Sequence, residues 1–169
     1  MSRPEGVEGQ AMLGNLGSKI EHLIQMCRRS VRLAASPGGK WGNGELVLVV
    51  DDFQDAREMY AEYLEFAGYR VATAANGAEA VEKALRERPN AILMDLSMPL
   101  MDGSEATRIL KADERTRKIP VLALSGHAIG SEPVKNAEEA GCDDFASRPC
   151  PPEEVEQRIR RLLRSRGKP

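Results

Sequence analysis

Seven aromatic residues in a chain of 169 is a thin supply, so the core of this protein has to be filled mostly by aliphatic side chains. Cysteine is scarce as well. Cys27, Cys142 and Cys150 are an odd number without ligand spacing. They read as free thiols in a reducing, cytoplasmic setting rather than as a disulfide framework or a zinc site. No long hydrophobic run exists: the longest, Leu46 to Val50, is far too short to span a bilayer. Met1 to Gly6 contains no apolar stretch, so a cleaved signal peptide is not expected. Gly38-Gly39-Lys40 lacks P-loop spacing, and Gly42-Asn43-Gly44 is not preceded by a strand. An organic cofactor held by either glycine motif is therefore not expected.

What is present is the composition of a soluble globular protein, with 41% hydrophobic and 30% charged residues. The net charge of -2 hides an uneven distribution. Residues 1–43 carry six basic and three acidic side chains, residues 44–150 carry 12 and 20, and residues 151–169 carry six and three. An acidic middle argues against binding a phosphate backbone as the main role, so no nucleic-acid partner is expected. The arginines of the last segment suit the carboxyl end of a helix, and the basic residues near the N-terminus are too few to argue for a membrane surface.

Three segments follow from the pattern. Residues 1–35 form an extension in which Leu16, Ile20, Leu23, Ile24, Cys27 and Val31 make one apolar helical stripe. That stripe could pack on the rest of the chain, dock a partner or pair with a second copy as a homodimer. Residues 36–44, with four glycines and Pro37, read as a linker. From residue 45 onward strand and helix patterns alternate. Strands are expected at Glu45–Val50, Tyr69–Thr73, Ala91–Met94, Ile119–Leu124 and Cys142–Ala146. Helices are expected over 53–67, after Asn76-Gly77, over 102–113, after Ser131, and from Pro151 onward. Phe53, Ala106, Ile109, Val81 and Leu85 are among the side chains expected to face inward. Five βα units in about 120 residues predict an α/β fold, a doubly wound five-stranded parallel sheet with helices on both faces.

In such a sheet function sits at the carboxyl ends of the strands. Asp51-Asp52 ends the first strand, Asp95 the third and Ser125 the fourth, and the fifth leads to Arg148. Carboxylates gathered at one edge repel one another, which implies a bound cation. Oxygen donors with room for water suit Mg²⁺ better than zinc.

Leu48-Val49-Val50-Asp51-Asp52, Ile92-Leu93-Met94-Asp95-Leu96-Ser97-Met98-Pro99-Leu100-Met101-Asp102-Gly103, Ala123-Leu124-Ser125-Gly126-His127-Ala128 and Gly141 to Pro149 together resemble the receiver domain of two-component response regulators. The resemblance spans roughly residues 45–166. It implies a flavodoxin-like strand order of 2-1-3-4-5 and a signalling protein rather than a conventional enzyme. Asp95 is implied to be the phosphoacceptor, taking a phosphoryl group from a histidine kinase or phosphotransfer protein. Mg²⁺ is implied on Asp52 and Asp95, on Asp51 through water, and on the backbone carbonyl of Ser97. Ser125 is implied to bind the arriving phosphoryl group and Phe145 to be the aromatic switch residue. Output would then pass to an unknown downstream protein through the fourth helix, fifth strand and fifth helix. With about 43 residues ahead of the receiver region, the length leads to the expectation of a single-domain regulator.

Two departures keep an alternative open. The basic position of the family holds Lys, and here Arg148 stands there, keeping the charge with a different shape. Phe145 lacks a phenol oxygen. Either substitution could be neutral, or the chain could be a receiver-like binding module that works without phosphorylation. A phosphoaspartyl hydrolase of another α/β family is disfavoured because it needs a second Asp two residues after the nucleophile, where Ser97 stands. His127 reads either as a plain loop residue or as a tuner of the acyl-phosphate lifetime.

Overall fold

A computed structural model of the chain describes residues 42, 44–128 and 130–165. The helix expected within residues 1–35, Cys27 with it, and most of the 36–44 linker lie outside the described residues. Five strands, β1 (Leu46–Val50), β2 (Arg70–Ala74), β3 (Ala91–Asp95), β4 (Val121–Ser125) and β5 (Asp144–Ser147), alternate with five helices. These are α1 (Gln54–Phe66), α2 (Gly77–Glu87), α3 (Gly103–Ala112), α4 (Glu132–Ala140) and α5 (Pro152–Ser165). The sheet is parallel in the order β2-β1-β3-β4-β5, the expected topology.

The central strands read as continuous apolar runs because both their faces are covered. Val47, Val49 and Leu93 point to the side of α1 and α5, where Tyr60, Leu64, Val155 and Ile159 meet them. Leu48, Val50, Ile92 and Met94 point the other way, onto Ala80 and Ala84 of α2 and Ala106 and Leu110 of α3. The period of two along each strand thus divides one apolar run between two layers. Beneath α4 a smaller cluster joins Leu96, Ala123 and Ala137, with Phe145 and Cys142 against it.

Local chemistry sets the helix ends. Asn76 and Asp102 cap α2 and α3 by accepting from the amides of Glu79 and Glu105 at 2.9 and 2.8 Å. Gly141 closes α4 at φ 94°, a left-handed conformation that glycine adopts without steric cost. Ser131 occupies the expected cap position of α4 but its hydroxyl makes no capping bond. Other expectations are corrected. Phe53 lies ahead of the first turn of α1 and is exposed, and Ile109 sits on the outer flank of α3. Val81 and Leu85 are only half-buried because the short side chains of Ala80 and Ala84 bring α2 onto the sheet. Cys142 precedes the last strand, which starts at Asp144.

The layer of α1 and α5 is tied by hydroxyls as well as by packing. Tyr60 donates to the carbonyl of Cys150 at 2.9 Å, and Tyr69 donates to Glu156 Oε1 at 3.1 Å. Glu156 is fully buried in α5, with Arg160 Nη2 at 3.6 Å from its other oxygen. Burial first, and then the Glu156 charge, raise the Tyr69 pKa well above the ordinary phenol range, so it stays a donor at any moderate pH. A buried carboxylate that loses a donor keeps its desolvation cost. Tyr69→Phe is therefore expected to destabilise the fold by about 1–3 kcal/mol, measured as the shift in urea midpoint at unchanged slope.

Cys142 and Cys150 are free thiols, and burial pushes both up to about 11. At pH 8 an ordinary thiol is substantially ionised and a thiol near 11 is not. Iodoacetamide is expected to modify Cys150 about 100-fold more slowly in the native chain than in urea, with the native rate rising about tenfold per pH unit. Peptide mapping by mass spectrometry resolves the site, and equal rates in the two states would contradict the placement.

Candidate functional site

Four consecutive strand ends build the site. β1 ends at Val50, so Asp51 and Asp52 are the first residues past it. Asp95 is the last residue of β3 and Ser125 the last of β4. The register pairs Asp95 with Leu124 and Ser125 with Ser147, which sets Arg148 one step beyond the end of β5. Residues far apart in sequence therefore meet at one edge because parallel strands all finish on the same side.

The carboxylate oxygens of Asp51, Asp52 and Asp95 lie within 4.8 Å of one another. Asp51 and Asp95 are buried and Asp52 is exposed. At an effective dielectric near 20, two buried charges at that range repel by about 3 kcal/mol, so the group requires compensation. Arg148 supplies part of it: Nη2 is hydrogen-bonded to Asp51 Oδ2 and lies 3.5 Å from Asp95 Oδ1. Desolvation works against the charge of Arg148, but the carboxylates of Asp51 and Asp95 outweigh it and its pKa is raised. Its Nε is buried without a partner, so the guanidinium contacts the acids through one edge only. Burial raises the Asp95 pKa from its ordinary value against the pull of Arg148 and of the Ser97 amide, and the charges of Asp51 and Asp52 add to the rise.

Backbone amides orient what the charges gather. The amide of Phe53 donates to Asp51 Oδ1 at 2.9 Å, and that of Ser97 to Asp95 Oδ1 at 3.2 Å. The hydroxyl oxygen of Ser125 accepts from the His127 amide at 3.0 Å, and its carbonyl accepts from the Arg148 amide at 2.8 Å. Ser125 itself is buried. A Cβ added at Gly126 would meet nothing within 4 Å, so the loop past Ser125 is open there. The Arg148–Pro149 bond is cis. Phe145 stands in β5 beside Ala123, half-buried against the small cluster under α4.

Two contributors were not anticipated from the sequence. Arg57, one turn into α1, donates from Nη1 to the Asp51 carbonyl at 2.6 Å. Its signal in the sequence is a cation near a helix N-terminus, where the dipole disfavours it unless another acceptor holds it. Gly103 is the second: a Cβ there would stand 2.1 Å from the Asp95 carbonyl oxygen. Only glycine lets the start of α3 pass so close behind the end of β3.

Oxygen donors at this spacing, one of them exposed to water, fit a hard divalent cation such as Mg²⁺. The residues suited to hold it are Asp51, Asp52 and Asp95. Among the described residues no helix is long and apolar enough to cross a membrane.

The arrangement of five parallel strands, an acidic strand-end pocket and a facing cation is that of a two-component signalling domain. Residues 47–160 match the family model of the response regulator receiver domain, and the chain belongs to that family. It is 39% identical over 121 residues to the transcriptional regulatory protein PrrA of Mycobacterium tuberculosis, covering 72% of this chain and 51% of that protein. The chain thus spans about half the length of the curated relatives it matches. Among solved structures it is similar to the receiver domain of a sensor histidine kinase from Pseudomonas aeruginosa, crystallised with a magnesium ion in its active-site cleft (34% identity, TM-score 0.66, covering 71% of this chain and 98% of that one). It is also similar to the chemotaxis protein CheY4 of Vibrio cholerae (31% identity, TM-score 0.66, covering 70% and 98%).

Gly103→Ala is expected to push α3 away from Asp95 and to cost about 1–3 kcal/mol, read from denaturant unfolding. An alanine variant of unchanged stability would show that the close approach is not required.

Proposed function

We propose that this chain is a phosphorylatable response regulator in which Asp95 accepts a phosphoryl group from a histidine kinase or a histidine phosphotransfer protein. The convergence of Asp51 and Asp52 on Asp95, with Arg148 facing them, carries this reading. An Asp95 oxygen attacks phosphorus, the P–N bond of the donor phosphohistidine breaks, and the imidazole nitrogen keeps the electron pair. Asp51, Asp52, Asp95 and the Ser97 carbonyl are the residues proposed to hold Mg²⁺. When bound, the ion supplies neutralisation of charge on the transferring phosphoryl oxygens. Ser97 keeps Asp95 oriented through its amide. Ser125 and Arg148 are the groups proposed to bind the transferred phosphoryl group, Ser125 by turning its hydroxyl toward it.

Movement of Ser125 is read out, in this proposal, by Phe145, which lies on the neighbouring strand against α4. The surface of α4, β5 and α5 then carries the signal to a partner protein, with residues 45–166 acting as the receiver unit. Such a role belongs in the cytoplasm, and the free thiols of Cys142 and Cys150 suit that reducing compartment. A second reading rests on one observation: the Arg148 guanidinium is bonded to Asp51 and lies 3.5 Å from Asp95, so both buried acids already engage it. In that reading the chain holds one conformation and binds its partner independently of phosphorylation.

Incubation with acetyl phosphate and Mg²⁺ separates the two. The wild-type chain is expected to gain about 80 Da, the mass of one phosphoryl group, and Asp95→Asn is expected to gain nothing. Absence of the adduct in wild type, together with no Mg²⁺-dependent response to beryllofluoride, would leave only the second reading.

A further inference from the structure

The carbonyl of Asp51 sits where the sheet runs out. The Asp51 amide still donates to the carbonyl of Ala74 at 3.1 Å, but β1 has ended at Val50. A buried backbone carbonyl in this position needs a donor from elsewhere. Arg57 provides it at 2.6 Å. A cation this close to the N-terminus of α1 opposes the helix dipole, so the placement needs a compensating contact, and this bond is one.

The two acids on either side of that peptide are held differently. The Asp51 carboxylate is fixed by the Phe53 amide and by Arg148. The Asp52 carboxylate is exposed and has no hydrogen-bond partner among the described residues. Its direction is therefore inherited from the backbone, specifically from the peptide that joins it to Asp51. The oxygen of that peptide is the atom Arg57 grips.

We propose that Arg57 is a positioning residue for the cation site: by clamping the Asp51–Asp52 peptide it aims the otherwise unsupported Asp52 carboxylate at the pocket. The inference rests on the reading of Asp51, Asp52 and Asp95 as the Mg²⁺ site. Charge alone and positioning differ in sign. As a positive charge beside the pocket Arg57 repels a divalent cation, so its removal would tighten binding. As a clamp it organises the pocket, so its removal loosens binding. Outer partners of metal ligands typically change metal affinity by about 10–100-fold, which is enough to reverse a modest charge effect.

Calorimetric titration of the full chain with Mg²⁺ alone tests this. Arg57→Met is expected to raise the Kd about tenfold, and Arg57→Lys, which keeps a donor and the charge, by a smaller factor. Thermal melting of the metal-free variants by circular dichroism accompanies the titration. A Kd change with little change in metal-free melting supports positioning over a general loss of packing. Where Arg57→Met melts below the titration temperature, Arg57→Gln gives the sign instead. Variants that bind Mg²⁺ as tightly as wild type, or more tightly, overturn the inference and leave the cation site standing. A wild-type chain that binds no Mg²⁺ overturns the cation-site reading itself.

Discussion

Mutual repulsion of three carboxylates at one sheet edge is the constraint around which the domain is arranged. Asp51 and Asp95 are buried, so solvent does little to weaken their repulsion. The structure answers with directed partial and full charges: the amides of Phe53 and Ser97, and the guanidinium of Arg148. Each of these depends on strand register. A one-residue slip of β5 against β4 would carry Arg148 away from Asp51 and Asp95. The apolar runs that fix the register are therefore part of the electrostatics of the site.

Stability and function share the same elements here. β3 is buried along its whole length, and its last residue is the candidate phosphoacceptor. Gly103 then lets α3 begin directly behind it. Rigid support on one side and an open loop at Gly126 on the other give Asp95 a fixed position and a free approach. Leu100, fully exposed with φ 71°, shows that the loop between β3 and α3 accepts backbone strain of a kind usually left to glycine or asparagine.

Much of this was legible in the sequence because it depends on pattern. Continuous apolar runs followed by Asp51-Asp52, Asp95 and Ser125 identify strands and their ends, and parallel alternation brings those ends together. What escaped depends on geometry between elements. Helical period locates the inner face of α3 but not its width, so Ile109 reads as inward although it lies at the margin. Glu156 stands among three acidic residues early in α5 and looks like part of a solvated first turn. It is buried because Tyr69, 87 positions earlier, reaches it across the layer. Arg57 finds the Asp51 carbonyl only once the turn between β1 and α1 is known. The roles of Asp95, Ser125 and Arg148 came from resemblance to a family, and the structure adds their proximity.

The tyrosines are distributed unevenly in space. All three tyrosines, Tyr60, Tyr63 and Tyr69, are buried in the α1 helix or at the approach to β2, and two of them bond to α5 or to Cys150 two residues before it. The described core of the opposite layer, under α2 and α3, contains no aromatic side chain. Tyrosine absorbance therefore views the described layers from one side. It registers motion of α1 against α5 rather than rearrangement of α2 and α3, so a flat tyrosine signal describes half of a layered structure.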